Sequence, residues 1–184
     1  MNLFYKEEGL FRRECAMVLQ AQGNVEEAAK MLQIVNYGDN DAYNERVDDA
    51  LTLAEWWFDL DDSTQAEIFV NRARHIVHNV EDRILQLRFK QSNIKLNDSK
   101  REFLLAAQGY YNLCLVEGLE VDESADLLNK AIVCTILSPA GPRKARHLIV
   151  LMKDERAKLN PFFELLQKMT LGYIIKAKDT ADFE

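Results

Sequence analysis

Apolar side chains recur at helical spacing through almost the whole chain. Val47, Leu51, Ala54 and Phe58 step by four, three and four, and Ile84, Leu87 and Ile94 form one stripe beside a second made by Leu85, Phe89 and Leu96. Positions three and four apart share a helix face, so these stripes predict amphipathic helices that each bury one side. No segment of useful length alternates with period two, as a half-buried strand would. The pattern predicts an all-α chain.

Polar breaks divide the helices. Gln22-Gly23-Asn24 separates helices predicted at 3–21 and 24–36, and residues 37–41 form a polar link. Asp61-Asp62-Ser63 separates 42–60 from 63–78, with Ser63 as the expected N-cap. Asn97-Asp98-Ser99 separates 81–96 from 100–116. Beyond a link over 117–122, helices are predicted at 123–137, 142–158 and 161–178, the last with Pro161 in its first turn. Consecutive helices then pair as hairpins over 1–36, 42–78, 81–116 and 123–158, followed by a terminal helix at 161–178. The expected whole is one helical-repeat array over 1–184.

A longer period supports that organisation. Ala28/Leu32, Ala66/Val70, Ala106/Tyr110 and Ala145/Ile149 each set a small residue four before a bulky one, and the alanines lie 38, 40 and 39 residues apart. A period near 40 with two helices per unit belongs to stacked helical repeats. The expected architecture is a right-handed solenoid of antiparallel hairpins, of the tetratricopeptide or HEAT kind.

The junction from Ala131 to Arg156 is the most informative stretch. An apolar helix stops at Ser138-Pro139-Ala140-Gly141-Pro142, and a second helix starts at once with Arg143, Lys144 and Arg146 in its first turns. Proline fixes φ and lacks an N–H, and glycine permits left-handed φ, so a sharp reversal is predicted there. The first arm is apolar nearly all round and is expected to be buried on every side. Cations at a helix start oppose the dipole by up to ~1 kcal/mol, so an acidic partner near Arg143, Lys144 and Arg146 would explain them. With Lys153, Asp154, Glu155 and Arg156, they form a ridge that is the first interface candidate. Trp56-Trp57-Phe58 is the second, since three consecutive aromatics cover about 200° of a helix and one ring must turn away from the hairpin's own core. Packing on the next repeat is the favoured use of that ring.

Composition narrows the function. The 184 residues are 48% hydrophobic and 29% charged, with seven Gly and three Pro, which fits a folded domain and not a turn-rich β fold. A net charge of −7 argues against general nucleic-acid binding, which needs excess Lys and Arg. No run approaches the ~18 apolar residues that span a bilayer, and no signal-peptide pattern opens the chain. Cys15, Cys114 and Cys134, odd in number and in apolar helical settings, read as reduced thiols. A soluble intracellular protein is expected, bound to neither nucleic acid nor membrane.

Catalytic chemistry finds no footing. His75 and His78 share a helix face, but a third ligand is only guessed from Glu81 or Asp82, and surface histidines are the simpler reading. Asp59, Asp61 and Asp62 lack the central Gly and distant Glu of a calcium loop. No glycine-rich phosphate loop or nucleophile elbow occurs, and Cys134 sits where ionisation is suppressed. The expectation is a nonenzyme without metal or cofactor.

The wording of several blocks resembles a known family. Cys134-Thr135-Ile136-Leu137, Ala140-Gly141-Pro142 and Lys153-Asp154-Glu155-Arg156 are similar to the subunit-four family of the COP-nine (constitutive photomorphogenesis) signalosome. Gln65 to Ala73 resembles its Ala-Glu-x-x-Ile-Asn-Arg/Lys-Ala segment, Phe103 to Ala107 with Tyr110-Tyr111 its Lys-Phe-x-Glu-Ala-Ala-x-Arg-Tyr segment, and Leu171 to Ile175 its last helix. The resemblance spans roughly 50 to 178. Leu105, Gly109, Pro139, Gly172 and Tyr173 depart from it. It implies the helical part of a PCI module, a fold of helical repeats usually capped by a winged helix, for which no β-hairpin pattern appears here. It also implies a noncatalytic scaffold, cytoplasmic and nuclear, partnered by other signalosome subunits and by cullin-RING ligase surfaces in support of cullin deneddylation. Rivals are a scaffold of the proteasome lid or of translation initiation built on the same module, and a free-standing helical-repeat adaptor.

Overall fold

The computed structural model describes residues 3–35, 37, 42–176 and 179. Among these the chain is all-α: α1 (Leu3–Ala21), α2 (Val25–Gln33), α3 (Tyr43–Asp59), α4 (Ser63–Ile76), α5 (Arg83–Ser99), α6 (Phe103–Cys114), α7 (Val121–Leu137), α8 (Pro142–Lys153) and α9 (Phe163–Leu171). Short 3₁₀ turns follow α4 at Val77–Asn79 and α8 at Glu155–Leu159. No strand occurs among the described residues.

Helix ends follow local chemistry. Asp62, not Ser63, caps α4, its carboxylate accepting the Gln65 N–H at 3.0 Å. Asp61 takes a left-handed φ of 61° to bring Asp62 into place, so the aspartate cluster is a turn and cap. The last helix is shorter than the expected 161–178. Gly172 adopts φ 73° in the left-handed region and its N–H reaches the Lys168 carbonyl, which closes α9 at Leu171. Pro161 lies in the turn before that helix. The α7–α8 reversal also differs in kind from its expectation. Ser138 and Gly141 are both extended and Pro142 opens α8, so no left-handed glycine is used.

Contacts divide the chain into two compact units, Met1–Leu96 and Asn97–Glu184, where one array over 1–184 was expected. In the first unit α1 packs on α2 and α3 on α4. Its main cluster joins Ala16, Ala28, Leu32, Leu53, Trp56 and Leu96. A second holds Val47, Leu51, Ala73, Val80 and Leu85. Leu85 and Leu96 thus commit α5 to the first unit; of the neighbouring stripe Ile94 is buried as well, while Ile84 is exposed. Arg88 reinforces the commitment by pairing with Asp48 and, at 3.0 Å, with Glu55 on α3.

In the second unit α6 packs along α7, and α8 packs chiefly with α9. The expected 123–158 hairpin is therefore not the main pairing there. Fully buried Ala106, Ala107 and Ala131 let α6 and α7 approach closely, and Cys114, Leu128, Ile132, Leu148, Leu151 and Leu166 make the core beyond them. α7 is not buried on every side, for Leu137 and Val121 are exposed.

The 40-residue period holds in three of its four places. Ala28, Ala66 and Ala106 are fully buried, but Ala145 and Ile149 face solvent because α8 turns Leu148 and Leu151 inward instead. Overpacking a closed seam costs about 1–3 kcal/mol, whereas exposed substitutions stay within ~0.5 kcal/mol. Ala66→Leu and Ala106→Leu are expected to lower the unfolding free energy by about 1–3 kcal/mol in urea titrations. Ala145→Leu is expected to leave it within ~0.5 kcal/mol.

Candidate protein-interaction surface

The ridge expected at the α7–α8 junction resolves into two populations, one structural and one exposed. Lys144 belongs to the first. It is only 8% exposed, and its ammonium donates to the Ile136 carbonyl at 2.7 Å and the Ser138 carbonyl at 2.6 Å. These are orphan acceptors at the negative end of the α7 dipole, so the cation is placed for the helix behind it and not for an acidic partner. Burial lowers the Lys144 pKa from its ordinary value. Lys144 is therefore removed from the interface.

Asp154 and Arg156 are likewise occupied. The Asp154 carboxylate caps the 3₁₀ turn through the Arg156 N–H and takes the guanidinium in two bonds, at 3.1 and 2.7 Å. The same guanidinium reaches the Cys114 carbonyl at 3.2 Å and Ser124 Oγ at 3.0 Å, while Ser124 Oγ donates to that carbonyl as well. Arg156 thus clamps the end of α6 to the first turn of α7. Its side-chain hydrogen bonds hold the Asp154 carboxyl below the usual range. Of the four-residue block, Lys153, Glu155 and Arg156 are exposed, Glu155 paired to Lys158 at 2.7 Å and Arg156 spent on the bonds above.

Cys134 donates to Asp98 at 3.6 Å, and Tyr110 donates to the same carboxylate at 3.2 Å. Burial, with Asp98 beside it, pushes the Cys134 thiol up to about 12, which disqualifies it as a nucleophile near neutral pH. Thr135 bonds back to the Ala131 carbonyl at 2.6 Å. The tryptophans are also internal. Trp56 is in the core of the first unit, and Trp57 and Phe58 pack against the same cluster. Trp57 Nε1 is buried without a partner. Neither ring offers the surface expected of an interface anchor. His75 and His78 are exposed, and no group of three potential metal ligands occurs among the described residues.

Two outward faces remain. On α8, Arg143, Arg146, Val150 and Lys153 recur at helical spacing, with Ile149 beside them 47% exposed. No ion pair involves these cations among the described residues. The second face, on α1, was missed in the sequence reading. Phe4, Phe11 and Val18 lie seven apart, flanked by Leu10 and Met17, and all five are exposed, Phe11 by 70%. The seven-residue step was visible in the sequence, but which side of α1 is covered depends on Ala16 and Leu19 packing into the first unit. Exposed apolar side chains grouped in this way mark surfaces that bind other proteins.

Residues 6–122 match the family model described as PSMD12/CSN4, N-terminal. Proteins named COP9 signalosome complex subunit 4 are similar to this chain. The one from Neurospora crassa is 33% identical over 182 residues, covering 95% of this chain and 41% of the relative. The one from Emericella nidulans is 30% identical, covering 97% and 44%, and that from Arabidopsis thaliana is 33% identical, covering 97% and 48%. The chain therefore spans less than half the length of these relatives.

Replacing Lys144 leaves two acceptors unpaired at about 1–3 kcal/mol each before relaxation. Lys144→Met is expected to cost about 2 kcal/mol, or roughly 4–8 °C in the thermal midpoint. Arg143→Met is expected to change the midpoint by less than ~2 °C. A pH effect comes from His147, buried edge-on to Tyr111 at 5.9 Å with its Nε2 unpartnered. Burial pushes its pKa below the ordinary 6.5, against a smaller opposing effect of a backbone hydrogen bond with Ala107. Because the folded imidazole is the harder one to protonate, its stabilising contribution is full above pH 6.5 and is lost as pH falls through the folded pKa. Denaturant titrations at about pH 7.5 and about pH 5 should show the wild type losing more stability than His147→Gln. Equal losses would contradict this assignment.

Proposed function

The chain belongs to the PSMD12/CSN4 N-terminal family, and from that membership we propose that it is a noncatalytic scaffold subunit of a COP9 signalosome. The observation that carries the reading is the outer face of α8. Arg143, Arg146 and Lys153 stand there without an ion pair among the described residues, beside Ile149 and Val150, in a chain otherwise net acidic at −7. A cationic face with apolar centres suits docking to an acidic protein surface, where charge sets encounter rate and register. In this reading the helices present surfaces to neighbouring signalosome subunits, and the α8 face meets an acidic patch on a cullin-RING ligase or an adjoining subunit. Deneddylation itself is the work of another subunit. The scaffold acts in cytoplasm and nucleus and engages neither nucleic acid nor membrane.

The family description also names PSMD12, so a scaffold role in the proteasome lid is the second reading. The names of the relatives favour the signalosome. Affinity purification of the tagged full chain is expected to recover signalosome subunits together with cullins. Lid subunits with proteasomal ATPases, or ribosomes, in their place would overturn the proposal. Reversing charge in R143E/R146E is expected to reduce cullin recovery roughly tenfold without shifting the thermal midpoint, because neither arginine makes a side-chain bond among the described residues.

A further inference from the structure

The first unit contains a cavity of about 240 Å³ between α2, α3 and α4, with apolar walls from Leu32, Val35 and Ile76 and with Tyr37, Arg46 and Arg72 at its polar side. The distribution of charge around it is uneven. Arg12 is taken by Glu8 at 2.7 Å. Arg13 is taken at 2.9 Å by Asp49, a buried carboxylate that also accepts the Tyr37 hydroxyl at 2.8 Å. Both bonds fall on Asp49 Oδ2, and burial raises the pKa of this carboxyl despite the arginine beside it.

Among the described residues Arg46 and Arg72 pair with no carboxylate. They stack on aromatic faces: the Arg46 guanidinium carbon lies 5.9 Å from the centre of the Tyr37 ring, and that of Arg72 lies 5.2 Å from the centre of Phe69. Stacking of this kind orients a guanidinium and leaves its N–H edge available to a planar oxyanion. Two unspent guanidiniums therefore border one apolar cavity, in a chain whose net charge of −7 makes such a patch an exception. Chemically, the cavity asks for an oxyanion carried on an apolar arm. Its size decides between a metabolite and a side chain. Sites that enclose small molecules run about 300–1,000 Å³, and this one is smaller, with room for one or two side chains.

We propose that this cavity is a docking site for a short acidic segment of a partner protein. An Asp or Glu carboxylate is taken by Arg46 and Arg72, and an adjacent aliphatic or aromatic side chain is seated against Leu32, Val35 and Ile76. The proposal goes beyond the scaffold reading and stands whichever complex the chain joins, since it rests on the cavity and its charges alone.

Selection of a random-heptapeptide phage library on the full chain tests it. Enriched sequences are expected to carry Asp or Glu within two positions of Leu, Ile, Met or Phe. In an amide-resolved NMR titration the leading peptide should shift Gln33, Val35, Arg46, Arg72 and Ile76. Its Glu→Gln twin should bind at least tenfold more weakly, a comparison that leaves the protein untouched. The variant R46Q/R72Q should lose binding by a similar factor while keeping its unfolding midpoint. Absence of acidic enrichment, shifts confined to other surfaces, equal affinity of the Gln twin, undiminished binding by R46Q/R72Q, or saturation of the site by inorganic phosphate alone would each overturn the proposal.

Discussion

Helices of nine to nineteen residues are marginal in water unless one face is buried, and here that burial is organised around alanines with no exposed surface. Ala16, Ala28, Ala29, Ala54, Ala66 and Ala73 floor the first unit, and Ala106, Ala107, Ala131 and Ala157 the second. A small side chain at a crossing lets two backbones approach. The larger residues a turn away, such as Leu32, Val70 and Leu128, then fill the space to interior density. Such seams tolerate little change of volume on the inside and leave the outer faces free to vary.

Charged side chains finish what the seams begin. Helix ends leave carbonyl and amide groups without partners, and three of the charges that look most like binding residues are spent on them. Lys144 closes the end of α7, Asp154 caps the turn after α8, and Arg156 joins the end of α6 to the start of α7. A cation beside unpaired carbonyls is worth more here than at a solvated rim, where exposed pairs contribute ~0–1 kcal/mol. Asp49 has the same role in the first unit, where it joins Arg13 of α1 to Tyr37 from within α3. The block that carries the family resemblance is therefore largely a set of clamps.

Subtracting those clamps sharpens the surface. Arg143, Arg146 and Lys153 on α8, and Arg46 and Arg72 in the first unit, are left without carboxylate partners among the described residues of a net acidic chain, while α1 shows an apolar outer face. These features suit recognition of other proteins. The thiol of Cys134, raised by burial and by Asp98, and the exposed His75 and His78 supply no assembled reactive group.

Much of this was legible in residue order alone. Periodicity located all nine α-helices of the described residues, because the 3.6-residue spacing of apolar side chains is a local property that a helix must satisfy wherever it packs. The family was legible in the same way, through blocks such as Gln65 to Ala73, which lies within the matched residues 6–122. Partner choice was not, because periodicity says that a face is buried and not against what. Only tertiary packing turned Ala145 outward, paired α6 with α7, divided the contacts after Leu96 and sank Lys144 and Trp56 inside. A charge three residues into a helix reads identically in sequence whether it meets solvent or the carbonyls of the helix before it. Distance in space, which residue order does not encode, separates the two.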